Sequence, residues 1–178
     1  MTPSQTIGPF FHLALTLDES FGHMASAGAE GEHVTLICRV LDGDGTPVDD
    51  AMIELWQADA SGIYADHLPG FRGFGRLATN EQGICVFETI RPGRVANSNG
   101  RSDAPHINVS VFARGLLKRA VTRIYFSGDP ANLEDPVLAL TPADRRDTLM
   151  ARQDAANLSV WTFDIHLCGD RETVFFQI

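Results

Sequence analysis

The sequence predicts an all-β fold, an antiparallel β-sandwich with one short helix and long irregular loops. Three observations carry that expectation. Short runs alternate apolar and polar side chains, the period-2 signature of half-buried strands. Clusters of Gly, Asp, Asn and Pro separate those runs and supply turn chemistry. Helix-start chemistry stands out at one place, near Thr141. Together they describe a sandwich of many short strands in a single domain spanning 1–178, with an extended N-terminal arm of about residues 1–12.

Taken in order, residues Thr2 to Phe11 form a Pro- and Gly-punctuated arm without periodicity, so it must lie extended on something else. Leu13 to Glu32 reads as an irregular connection. His33–Leu41 is the first strand, closed by the turn Asp42-Gly43-Asp44-Gly45. Ala51–Gln57 is the second, closed by Ala58 to Gly62. Gly73–Thr79 and Gly83–Arg91 read as a hairpin joined by Asn80-Glu81-Gln82-Gly83. Residues 94–103 are a polar loop leading into a strand from Ala104 to Gly115. Ala120–Phe126 follows. Thr141 as N-cap, Pro142 at the first helical position and Asp144 in the first turn predict a helix to about Arg152. Strands at Leu158–Leu167 and Val174–Gln177 end the chain.

Composition narrows the function. At 178 residues and 44% hydrophobic content the chain can bury a sizeable core. No stretch is long and apolar enough to span a bilayer as a helix. Met1 to Thr6 has neither the basic region nor the apolar core of a signal peptide. A formal net charge of −9, with no basic stripe, makes nucleic acid a poor partner. Cys38, Cys85 and Cys168 form no C-x-x-C pair and fit a reducing cytoplasm.

Chemistry concentrates in the strand that begins at His106. Period-2 geometry puts His106 and Asn108 on one face, roughly 7 Å apart. A His-x-His there would be half of a metal site. Asparagine oxygen is a poor substitute for imidazole at a transition metal, so the strand lacks a ligand. His33 and His166 read as exposed-face or hydrogen-bonded strand residues, and Tyr64 and Tyr125 as packing residues with satisfied hydroxyls. Arg114, before Gly115, is either a solvated turn residue or a planar fork for a carboxylate. The residues alone leave that choice open.

Several motifs in collinear order resemble intradiol ring-cleaving dioxygenases. They are Thr2 to Phe10, Ile53 to Tyr64, Gly73-Phe74-Gly75-Arg76, Ile90-Arg91-Pro92-Gly93, Tyr125-Phe126, Phe163-Asp164-Ile165 and Glu172 to Phe176. Within the family, Ala104 to Asn108 and Phe112 to Gly115 resemble the alpha-type chains of heteromeric members that cleave protocatechuate with O₂. In their beta-type partners, two tyrosines and a His-x-His pair hold ferric iron. Position 106 matches the first histidine, Asn108 replaces the second, and Val95 replaces one tyrosine. The other tyrosine falls in a loop shortened between Tyr64 and Phe71, with none there to fill it.

The resemblance therefore implies no catalytic residue and no metal ligand in this chain. It implies Fe(3+) bound by a beta chain and a higher-order hetero-oligomer. His106 becomes a structural or hydrogen-bonding residue. Thr6, Gly8 and Pro9 of the arm would approach the substrate ring, and Arg114 would meet its carboxylate. A glycine of the family stands where this chain has Cys38. The alternative is a non-catalytic transthyretin-like β-sandwich that only binds or assembles with partners.

Overall fold

In a computed structural model, the structure describes residues 14–64, 69–97 and 100–177. Its strands are β1 (His33–Leu41), β2 (Met52–Gln57), β3 (Phe74–Ala78), β4 (Ile84–Ile90), β5 (Val95–Ala96), β6 (Ser102–Asp103), β7 (His106–Phe112), β8 (Ala120–Phe126), β9 (Met150–Gln153) and β10 (Val160–His166). Eight of them form one sheet in the order β3-β2-β7-β8-β9-β10-β1-β4, and β5 and β6 make a separate ribbon. The mostly-β expectation holds.

The purely antiparallel sandwich is corrected. β1 runs parallel to β10, and β8 runs parallel to β9. Short β9 is the splice: it pairs with β8 at Tyr125 and Phe126 and with β10 at Trp161 and Thr162. The hairpin expectation is also corrected. The turn at Asn80 to Gly83 exists, with the Asn80 side chain accepting from Gln82 and Ile84 N–H. However, β3 pairs with β2 and β4 pairs with β1. That turn therefore links the two edge strands of the sheet, which nearly closes on itself. Turn chemistry is local and identical in both cases; apolar partners elsewhere choose the pairing.

Alternation decides which side chains enter the core. In β7, Ile107, Val109 and Val111 are buried in the main core with Leu36, Val40, Leu55, Phe87, Ile124, Trp161 and Phe163. Cys38 and Cys85 face each other across β1 and β4, both buried and free. The Cys85 thiol hydrogen-bonds Cys38 and burial adds to it, so the Cys38 thiol is pushed well above its usual range. Both act as small hydrophobes.

The opposite face of β8 builds a second core of Ala104, Tyr125, Ala131, Leu138 and Leu149. Here the helix expectation fails. The α-helix α1 is Pro136–Leu140, and Thr141 is its C-cap, not its N-cap. Both Asp135-Pro136 and Thr141-Pro142 carry start signals, and burial selects the first. The Asp135 carboxylate is fully buried and accepts from Val137 and Leu138 N–H, Ala104 N–H and the Tyr125 hydroxyl. Thr141, preceding Pro142, is held extended at ψ 131° and ends the helix. The rest of the expected helix is a 3₁₀ turn, Arg146–Leu149, followed by β9. Residues 174–177 form no ladder; they strap β8 through Phe176 N–H to Val121 O and Thr122 Oγ1 to Val174 O.

Asp135→Ala leaves three buried donors and one half-buried donor without an acceptor, at roughly 1–3 kcal/mol for each buried unsatisfied group. The expected result in urea unfolding is a loss of at least about 3 kcal/mol, with Asp135→Asn clearly milder. A change below 1 kcal/mol for the alanine variant would sink this role.

Candidate functional site

Register assembles the site. β7 and β8 pair antiparallel with His106 opposite Tyr125 and Asn108 opposite Arg123. Directly opposed residues share a face with Cβ atoms about 4.5–5.5 Å apart, so these four make a compact polar patch. β2 extends the row, because Trp56 is opposite Asn108. Tyr64, from the loop after β2, stacks on Trp56 with ring centroids 6.2 Å apart and planes at 10°.

Hydrogen bonds order the patch. His106 Nδ1 lies 2.8 Å from Ala104 O, which can only accept, so Nδ1 carries the proton. Nε2 of the neutral ring is then an acceptor, and the Tyr64 hydroxyl donates to it at 3.3 Å. The Tyr64 oxygen in turn accepts from Asn108 Nδ2 at 2.8 Å. Asn108 Nδ2 also reaches Trp56 O at 3.3 Å. The relay runs from Asn108 to Tyr64 to His106 to the Ala104 carbonyl. From the sequence, Tyr64 reads as a packing residue, and the loop beyond it holds no tyrosine. The fold supplies a phenol from Tyr64 itself, although its hydroxyl and the imidazole are 42 residues apart in sequence. Only the turn Asp59 to Ile63, pinned by Asp59 accepting from Ser61 and Ile63 N–H, aims it there.

Charge completes the picture. Arg123 NH1 lies 3.3 Å from Asp103 Oδ2 and 3.4 Å from the Tyr125 hydroxyl, and both partners of the ion pair are largely buried. Burial first, then Arg123, lowers the His106 pKa, so the ring stays neutral. Burial raises the Tyr64 pKa despite Asn108 and Arg123, so the phenol keeps its proton. Beside this patch lies a pocket of about 200 Å³ lined by Asn108, Val121, Thr122, Arg123, Val137 and Phe176.

Arg114 lies elsewhere. It follows the far end of β7 from His106 and is exposed, with Nε 3.3 Å from Asp50 and NH2 3.4 Å from Asp49. Exposed pairs at such distances are worth at most about 1 kcal/mol, so the fork can be released to another anion. Thr6, Gly8 and Pro9 lie outside the described residues. Val95 is half-buried in β5, paired with Asp103 on β6.

Comparison with known proteins gives this geometry its setting. A family model described as dioxygenase matches residues 7–169. The chain belongs to the intradiol dioxygenase family. The protocatechuate 3,4-dioxygenase alpha chain of Burkholderia cepacia is 43% identical, with 99% of this chain and 97% of that protein covered. The beta chain of protocatechuate 3,4-dioxygenase from the same organism is 37% identical, over 78% of this chain and 66% of that protein. Among solved structures, the dioxygenase domain of a dioxygenase carbohydrate-binding protein fusion from Streptomyces sp. SirexAA-E aligns at TM-score 0.65 and 26% identity. It covers 97% of this chain and 99% of that one.

Non-heme iron is the metal this intradiol family uses, and the His106 patch is a poor nest for it. The patch offers one imidazole, one protonated phenol and one carboxamide whose N–H points at the phenol. The Nε2 lone pair is already engaged, and a fixed guanidinium stands opposite Asn108. Among the described residues, no three His, Cys, Asp or Glu side chains converge.

The neutral His106 makes stability depend on pH. The unfolded chain binds this proton near pH 6.5, the folded chain only at lower pH. Its contribution is therefore intact above about pH 6.5 and declines as pH falls through the folded value, with a limiting slope of about 1.4 kcal/mol per pH unit. Urea unfolding from pH 7.5 to 5 should fall more steeply for the parent chain than for His106→Gln. Parallel curves would remove His106 from the titration.

Proposed function

We infer that this chain is the alpha-type subunit of a protocatechuate 3,4-dioxygenase, acting in intradiol cleavage of protocatechuate by O₂ to 3-carboxy-cis,cis-muconate. The carrying observation is the 43% identity to an alpha chain over nearly the full length of both proteins. A separate beta chain, also related to this one, supports a hetero-oligomer in which the two chains divide the work.

Ferric iron in the beta partner supplies the redox chemistry that joins O₂ to the catechol. This chain completes the substrate pocket. Three features support the division: the asparagine at the second histidine position, the protonated Tyr64 phenol, and the engaged His106 Nε2. Arg114 is the cation for the substrate carboxylate. Its exposed fork and weak Asp49 and Asp50 pairs leave it free to accept a bidentate anion. The arm residues Thr6, Gly8 and Pro9 wall the ring side of the pocket, and the arm's lack of periodicity supports an extended path onto a partner. Free Cys38, Cys85 and Cys168 support a cytoplasmic setting.

A desolvated bidentate contact to a carboxylate is worth about 1.5–3 kcal/mol. Arg114→Ala should thus raise KM for protocatechuate about 10- to 100-fold in the assembled enzyme, leaving iron content unchanged. Arg114→Lys should recover part of the loss. Unchanged KM with iron intact would take Arg114 out of the site. An assembled complex that consumes no O₂ with protocatechuate would favour the binding-module reading.

A further inference from the structure

The missing ligand does not by itself explain why the His106 patch should stay free of metal. Tyr64 and His106 stand side by side, and Asn108 occupies a position from which a third ligand could reach them. Arg123 is a separate matter. It sits directly across from Asn108 on β8, about 5 Å away at Cβ, and one strand repeat, roughly 7 Å, from the position opposite His106. It is not free to swing away. Asp103 holds NH1 at 3.3 Å, Tyr125 adds a contact at 3.4 Å, and the Tyr125 hydroxyl is itself bonded to buried Asp135.

We propose that Arg123 closes this patch to cations: its guanidinium, held by Asp103 and the Tyr125 hydroxyl on the strand across from Asn108, is a fixed positive group beside the position a metal ion would take. Metal exclusion here is then an electrostatic device with its own residues, beyond the loss of ligands. The charge balance supports this. Asp103 holds the guanidinium in place and commits its own carboxylate to it, so that carboxylate is not left to serve a metal. A metal cation bound there would stand beside that guanidinium, and like charges at such short range repel. The Arg123–Asp103 pair also keeps the β6–β8 contact closed beside the 200 Å³ pocket that Asn108 and Arg123 both line.

The inference rests on the reading that iron belongs to the partner chain, and the experiment separates the two. The probe is iron content per alpha–beta pair of the co-expressed, purified complex, with Tyr-to-ferric absorption as a second signal. The parent complex should hold one iron per pair, and Asn108→His should still hold one. Asn108→His combined with Arg123→Gln and Asp103→Asn should approach two, with a stronger charge-transfer band. Asn108→His with Arg123→Gln alone is the companion variant should the triple one fail to assemble, and it should also exceed one. Two irons in Asn108→His alone would overturn the role of Arg123 while leaving the partner-iron reading intact. One iron in an assembled Arg123→Gln combination would overturn it as well. Two irons in the parent complex would put one in this chain and overturn both the exclusion and the reading that iron belongs to the partner chain alone.

Discussion

A single buried carboxylate holds the functional half of this protein together. Asp135 accepts four hydrogen bonds from three separate places: the first turn of α1, the Ala104 N–H just before β7, and the Tyr125 hydroxyl on β8. An ionised group in a dry environment is costly unless its lone pairs are filled, and here they are. The carboxylate is thus stable only when helix, strand entry and sheet are all in place. Through Tyr125 it braces Arg123, and through Ala104 it sets the carbonyl that orients His106. The polar patch inherits its geometry from that one side chain.

Two arginines show how environment assigns roles to one chemistry. Arg123 is largely buried, paired and fixed between neighbours. Arg114 is exposed and loosely paired at longer distances. The first is an element of architecture whose charge shapes what the patch can admit. The second can exchange partners at little cost, as a residue that greets a substrate carboxylate must. Both are arginines in or just after strands, and local sequence does not tell them apart.

Legibility followed how far each feature's cause extends along the chain. β1 and β8 were readable to the residue, because alternation over seven to nine positions is a local property enforced by burial of one face. β9 was not: at four residues it exists only because β8 and β10 flank it. The misplaced helix shows the same limit. The sequence points to Thr141-Pro142, whereas the structure starts the helix six residues earlier at Asp135-Pro136, where the Asp135 carboxylate is also bonded to Tyr125. In the site, the His106 and Asn108 pairing on one face was legible from period 2. The Tyr64 phenol was not, since a turn pinned by Asp59 and a stack on Trp56 bring it there.

By itself, the sequence determined that the chain is mostly β, that Ile107, Val109 and Val111 face inward, that His106 and Asn108 share a face, and that its motifs are those of intradiol dioxygenases. These are consequences of side-chain period and of residue order. Tertiary structure alone decided that the sheet carries parallel pairs, that Asp135 starts the helix, that Tyr64 meets His106, and that Arg123 stands across from Asn108. Each of those depends on which distant segment supplies a partner for a buried polar group. Hydrophobic alternation is written residue by residue, whereas the satisfaction of buried polar atoms is settled only when the whole chain has closed around them.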